Sequence, residues 1–149
     1  MSLTFQIRDA STVPFAKLIA MTEAAKFLEA RTFAVAGASS QKHKYGYKVF
    51  KALIDGGFDA YAINPNVPVI DGQQSYASIH KLPVKIEALS VVTPPAATRL
   101  IVADAINAGI RIIWMQPGAE DESAIHAAKA AGITVIADGS CLLVSLALK

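Results

Sequence analysis

The sequence is short of the features that mark membrane-spanning, disulfide-bonded and nucleic-acid-binding proteins. It has 149 residues, one cysteine, 17% charged residues and a formal net charge of +2. A single cysteine cannot form an internal disulfide, which favours the reducing cytoplasm. No apolar run reaches the ~18–20 residues that span a bilayer, and the first ten residues lack a secretory signal. We therefore expect a cytoplasmic protein with no membrane or nucleic-acid partner.

The sequence also lacks any grouping of residues typical of a metal centre or a catalytic site. No histidine has a second histidine or a carboxylate at the spacing that metal ligands require. No nucleophile is accompanied by a recognisable general base. The sequence therefore predicts no metal site and no catalytic residue, which favours a binding protein over an enzyme.

Apolar residues, in contrast, make up 53% of the chain, in short β-branched runs that alternate with alanine-rich helical stretches. The strands are predicted over residues 33–36, 60–63, 89–92, 111–115 and 133–137. The helices are predicted over residues 45–55, 75–80, 96–108, 120–131 and 141–148, after an N-terminal helical extension over 9–31. Apolar strands that alternate with helices indicate a parallel sheet covered on both faces. We predict one domain over residues 1–149, an α/β doubly wound Rossmann-like sheet of about five strands in the order 3-2-1-4-5.

Small, polar and proline-rich residues follow four of the predicted strands. In such a sheet the carboxyl ends of the strands meet at one edge, where ligands bind. The four strand ends are Gly37-Ala38-Ser39-Ser40, Asn64-Pro65-Asn66, Thr93-Pro94-Pro95 and Gln116-Pro117-Gly118. None of them supplies a charged side chain, so the surface would bind a ligand through backbone groups and shape complementarity. That composition favours a nucleotide-like ligand, with its phosphate on the glycine loop at the start of the next helix.

The identity of the nucleotide depends on charge. NAD-binding domains carry an acidic residue at the end of the second strand, and here that position is Asn64. No Gly-Lys-Ser/Thr follows the loop, which excludes a P-loop. Lys42 and Lys44 follow the loop closely, and no acidic residue lies between the loop and Asp55. This local positive charge suits a ligand with more phosphates than NAD.

Several short stretches, in this order and spacing, resemble the small stand-alone CoA-binding proteins, whose domain is similar to that of the succinyl-CoA synthetase α subunit. The matching stretches are Val35 to Ser39, Tyr45, Ile63 to Pro65, Gly72 to Tyr76, Trp114 to Gln116 and Asp138 to Cys141. Together they cover about residues 32–143. The resemblance implies a Rossmann-type domain that binds coenzyme A.

The resemblance also implies which residues contact the ligand. Phosphate would bind to Gly37, Ala38, Ser39 and Ser40, with Lys42 and Lys44 taking the remaining phosphate charge. The adenosine and pantetheine parts would be flanked by Asn64, Pro65, Asn66, Thr93, Pro94 and Pro95. From their positions in the sequence, Tyr45 could cover the ligand and Gln116 could donate a hydrogen bond from the mouth of the crevice. Cys141 is open to two interpretations, core packing or a mixed disulfide with CoA.

The function remains open between a CoA or acyl-CoA binding protein with no catalysis of its own and a subunit that presents CoA to a separate ATP-dependent acyl-CoA ligase. The ligases that this domain resembles need a phosphorylated histidine on another domain and an ATP-binding partner. The apolar C-terminal segment, residues 142–148, is compatible with a ligase interface or a homodimer. A third hypothesis is an NAD(P)-binding protein, which is disfavoured because the end of the second strand lacks the expected acidic residue.

Overall fold

A seven-stranded, mostly parallel sheet forms the centre of the protein in a computed structural model that describes residues 14–148. The strands are β1 Phe33–Ala36, β2 Ala60–Ile63, β3 Val69–Ile70, β4 Gln73–Tyr76, β5 Ala88–Val91, β6 Ile112–Met115 and β7 Thr134–Ile136. The helices are α1 Phe15–Leu28, α2 Tyr45–Asp55, α3 Pro95–Ala108, α4 Glu122–Ala130 and α5 Leu142–Ala147, with a 3₁₀ helix at Ile79–Lys81. None of the helices within residues 14–148 has the length and apolarity needed to cross a membrane.

The strands follow the order β3-β4-β2-β1-β5-β6-β7, and only the β3–β4 pair is antiparallel. Every residue of β1, β5 and β6 is buried. Strands buried on both sides read as continuous apolar runs, which is why the sequence pattern reveals them. β1 pairs with both β2 and β5 in register, so the turns that follow these three strands emerge side by side.

Helices cover both faces of the sheet. On one face, Val102 of α3 and Ala128 of α4 belong to the same core cluster as Leu89 of β5. On the other face, α1, α2 and α5 contribute Phe27, Phe50 and Leu142 to the second cluster. The predicted α/β Rossmann-like class is therefore confirmed.

The sheet is larger than predicted, and the strand order differs in one respect. β4 lies beside β2 where a helix was predicted over residues 75–80, and the strand predicted as the third, β5, lies on the other side of β1. β4 was missed because the sequence Gln73-Gln74-Ser75-Tyr76 is polar and two of its four residues are exposed, one strand in from the sheet edge. The Asp71-Gly72 pair was the available signal, since both residues have the positive φ typical of a tight hairpin turn.

Within the helical extension predicted over residues 9–31, the structure describes helix α1. It runs from Phe15 to Leu28, and residues 9–13 lie outside the described part of the chain. At its C-terminal end the Phe27 ring packs edge-on against Trp114, with 5.3 Å between ring centroids. This contact anchors α1 on the sheet.

Candidate functional site

The turn after β1 has a backbone shape that only glycine accommodates. Gly37 has a φ of +89°, and a Cβ placed there would lie 2.1 Å from the carbonyl oxygen of Val92. Its N–H donates to the carbonyl of Ile63 at 3.1 Å. The turn is therefore pressed between the ends of β2 and β5, in a conformation that an L side chain would strain.

The first turn of α2 lies directly against this loop. A Cβ on Gly46 would come within 2.0 Å of the carbonyl oxygen of Gly37, so the two backbones are in contact. Lys44 occupies the N-cap position, and no side chain caps this end of the helix. The first N–H groups of a helix have no intrahelical acceptor and carry the positive end of the helix dipole. Together with the loop they form a surface suited to an anion.

Asn64, at the end of β2, holds the loop from the other side. Its Nδ2 donates to the carbonyl of Ala38 at 2.7 Å, and its Oδ1 accepts from the N–H of Asn66 at 2.8 Å. One side chain thus fixes both the glycine loop and its own turn. An acidic residue at this position has no N–H to donate to Ala38, which gives Asn64 a structural role that the sequence did not reveal.

A crevice of about 400 Å³ opens beside the loop, between the end of β2 and helix α3. Its lining includes four of the residues predicted from sequence, namely Gly37, Asn64, Pro65 and Thr93. The lining residues that sequence reasoning missed are Ala36, Ile63, Ala77, Ser78, Ile79, Ala97, Leu100, Ile101 and Asp104. Four of the missed residues, Ala97 to Asp104, lie on one face of α3, and their i, i+3, i+4, i+7 spacing could have indicated that face.

The far wall of the crevice is fixed by a buried hydroxyl. Thr98 Oγ1 lies 2.8 Å from both Thr93 Oγ1 and the carbonyl of Ala119. Pro94 and Pro95 are exposed and occupy the N-cap and first position of α3, where the missing N–H of proline has no cost. These contacts hold the turn after β5 against the start of α3.

Tyr45 lies on the opposite side of the loop from the crevice. Its hydroxyl contacts Gln116 Oε1 at 3.2 Å and the Sγ of Cys141. Burial, together with the Cys141 contact, raises the pKa of Tyr45 well above its usual value. The phenol therefore stays protonated throughout the physiological range.

The remaining predicted residues fall into three groups. Ser40, Lys42, Lys44 and Asn66 are exposed around the loop, and Ala38 and Ser39 are wholly or partly buried within it. Gln116, predicted at the crevice mouth, is instead fully buried below it. The structure thus brings together the three turns after β1, β2 and β5, with the lysines beside the loop and Gln116 in the interior.

A comparison with known sequences identifies the family to which this site belongs. Residues 31–147, which include every predicted site residue, match the family described as the CoA binding domain. The chain belongs to the CoA-binding domain family. This confirms the resemblance predicted from the sequence.

The chain is also similar to several known proteins and solved structures. A conserved hypothetical protein of Pyrococcus furiosus has a solved structure with 34% identity and a TM-score of 0.72, covering 77% of this chain and 98% of that one. A hypothetical protein of Pyrococcus horikoshii has 27% identity and a TM-score of 0.80, covering 89% and 92% of the two chains. The α subunit of the ADP-forming acetate–CoA ligase II of P. furiosus is 28% identical over 86 residues. That match covers 57% of this chain but only 19% of the subunit.

Proposed function

We propose that this CoA-binding domain binds coenzyme A or an acyl-CoA and has no catalytic activity of its own. The observation that carries the proposal is the uncapped start of α2 in backbone contact with the glycine loop, beside a crevice of about 400 Å³. The diphosphate of CoA would accept hydrogen bonds from main-chain N–H groups of the loop and of the first turn of α2. Family membership is what favours CoA over other nucleotides.

In the proposed complex the ligand extends from the loop in two directions. The crevice is lined mainly by apolar side chains such as Ile63, Ile79 and Ile101, which suit the flat face of a nucleobase. On the other side of the loop the chain of the ligand would run past Tyr45. Asp104 is the one ionisable side chain among the crevice-lining residues, and its Oδ1 lies 3.6 Å from His80 Nε2. A single carboxylate at the rim favours binding over acid–base catalysis.

Calorimetric titration with CoA, 3′-dephospho-CoA, NAD and ATP tests the proposal. We expect saturable binding of CoA, weaker binding of 3′-dephospho-CoA, and the weakest heat from NAD, because Asn64 supplies no carboxylate for the ribose hydroxyls. Micromolar binding of NAD with no binding of CoA would reverse the assignment.

Lys42 and Lys44 provide a prediction about charge. Both are exposed beside the loop, and we propose that they attract the phosphates. The double variant Lys42→Ala/Lys44→Ala should bind CoA about tenfold more weakly at low ionic strength, a modest change because exposed ion pairs are screened. The loss should shrink as salt is added. Lys48→Ala, on the exposed side of α2, is the control and should stay within about twofold. An equal loss of CoA affinity in the double variant and in Lys48→Ala would show that the attraction of the phosphates is not specific to the lysines beside the loop.

A second candidate function follows from the similarity to the acetate–CoA ligase α subunit. This chain would then present CoA to a separate ATP-dependent acyl-CoA ligase partner. Exposed apolar side chains on α5 and just after it, Val144 and Leu148, would contribute to the contact. Acyl-CoA synthesis that appears only when the protein is mixed with such a partner would support this function. If adding the protein leaves the partner's rate of acyl-CoA synthesis unchanged at saturating CoA, the result would count against this function.

A further inference from the structure

Gln116 makes an unusual set of hydrogen bonds for a residue that follows a strand at a ligand-binding edge. Its side chain is fully buried. Oε1 accepts from the hydroxyl of Tyr45 at 3.2 Å and from the N–H of Leu142 at 2.9 Å. Nε2 donates to Ser90 Oγ at 3.2 Å. One amide thus joins the end of β6 to β5, α2 and α5.

The orientation of this amide follows from its partners. The N–H of Leu142 can only donate, so the atom facing it must be the carbonyl oxygen. That oxygen has two lone pairs, and Leu142 and Tyr45 use both. Nε2 keeps a second N–H beside the one given to Ser90, but the whole side chain is buried. Direct contact between Gln116 and a ligand is therefore not what the geometry favours.

The bond to Leu142 has a second effect, on the C-terminal helix. Leu142 is the first residue of α5, and its N-cap residue, Cys141, makes no side-chain capping bond. Gln116 therefore supplies from another element the acceptor that a helix start needs. Trp114 Nε1 donates to the carbonyl of Ser140 at 3.1 Å, so β6 holds the preceding turn as well.

We propose that Gln116 is a positioning residue that acts on the ligand site through Tyr45 and couples the glycine loop to the start of α5. This inference rests on the proposed CoA site. Tyr45 is the first residue of α2, next to Gly46, whose backbone touches the loop. Holding the Tyr45 hydroxyl on Gln116 therefore fixes the start of the helix whose N–H groups face the phosphate.

A double-mutant cycle on CoA affinity tests whether Gln116 acts through Tyr45. Gln116→Leu keeps the size of the side chain and removes its hydrogen bonds, and Tyr45→Phe removes only the hydroxyl. We expect each variant to weaken CoA binding by roughly three- to tenfold, and the double variant to be no weaker than the weaker single variant. Losses that multiply in the double variant would show that Gln116 contacts the ligand independently and would overturn the proposal.

A change of protonation provides a readout that a general loss of packing would not produce. In Gln116→Glu the protonated carboxyl can donate to Ser90 and accept from Tyr45 and Leu142, whereas the ionised form cannot donate. Burial raises the pKa of such a carboxyl, so it changes between its protonated and ionised forms within the pH range in which CoA binding can be measured. CoA affinity of this variant should approach that of the wild type at pH 5 and fall by pH 8, relative to the wild-type profile. A pH profile parallel to the wild type would refute the hydrogen-bonding role.

Amide hydrogen exchange at Leu142, measured without ligand, separates this inference from the proposed function. Gln116→Leu should speed exchange at Leu142 by about tenfold, whereas Ser90→Ala, which leaves the Oε1 bonds in place, should change it by less than about threefold. Unchanged exchange in Gln116→Leu would refute the link to α5. If the wild type binds no CoA while exchange responds as expected, the proposed ligand is wrong and the structural coupling stands.

Discussion

Gly37→Ala is expected to abolish detectable CoA binding and to lower the free energy of unfolding by about 2–4 kcal/mol. Two terms contribute. The positive φ of +89° is unfavourable for alanine, and the new methyl group would lie 2.1 Å from the carbonyl oxygen of Val92. The loop must then shift away from β5, which moves its N–H groups out of line with those of α2. Chemical denaturation and calorimetry with CoA measure the two effects.

Gly57→Ala is the matched control for this substitution. Gly57 has a similar φ of +82°, but nothing lies within 4 Å of a Cβ at that position. The free energy of unfolding of Gly57→Ala should fall by only about 1 kcal/mol, because alanine is unfavourable at this positive φ. The variant should bind CoA like the wild type. The difference between the two variants in unfolding free energy and in CoA affinity measures the effect of the close approach of the loop to Val92. If Gly37→Ala loses no more stability than the control and still binds CoA, the close contact does not determine the shape of the site.

Ala97→Phe is expected to weaken CoA binding by at least about 100-fold, or about 2.7 kcal/mol, with little change in stability. Ala97 is half-buried on the wall of the crevice. A phenyl ring there would occupy the volume that the proposed complex assigns to the nucleobase. Titration calorimetry with CoA, together with thermal unfolding in the absence of ligand, checks both parts of this prediction.

Ala96→Phe is the matched control, one residue earlier in the same helix turn. Ala96 is exposed and does not line the crevice. Its variant should bind CoA within about twofold of the wild type, since surface substitutions away from a site have small effects. Wild-type affinity in both variants would mean that the base lies outside the crevice, even if the phosphates lie on the loop.

The sequence predicted the central part of the fold closely. The bounds of β1, β2 and α2 agree with the prediction. The buried apolar runs of β1 and β2 end at Gly37 and Asn64, and the amphipathic helix α2 ends at Gly56. β3 was missed because it has only two residues, and β4 was missed because its polar sequence carries almost no hydrophobic pattern. Recognising them depended on the turn at Asp71-Gly72.

The candidate site was predictable only where strand ends define it. The turns at Gly37, Asn64 and Thr93 line the same crevice. The position of Gln116 was not predictable, because its partners Ser90 and Leu142 each lie 26 residues away in the chain. Long-range hydrogen bonds of this kind leave no local signature, and a polar residue after a strand looks the same in sequence whether it faces a ligand or the interior.

The close contact between Gly37 and Gly46 also bears on how such domains can diverge. In the proposed complex the phosphate would accept hydrogen bonds from main-chain N–H groups, which every residue except proline possesses. Side chains at Ser39 or Ser40 can therefore change without removing a donor, whereas the two glycines cannot change without moving the backbone. Distant relatives could keep the same ligand chemistry with almost no shared side chains in the loop, so recognising them would depend on the spacing of two obligatory glycines.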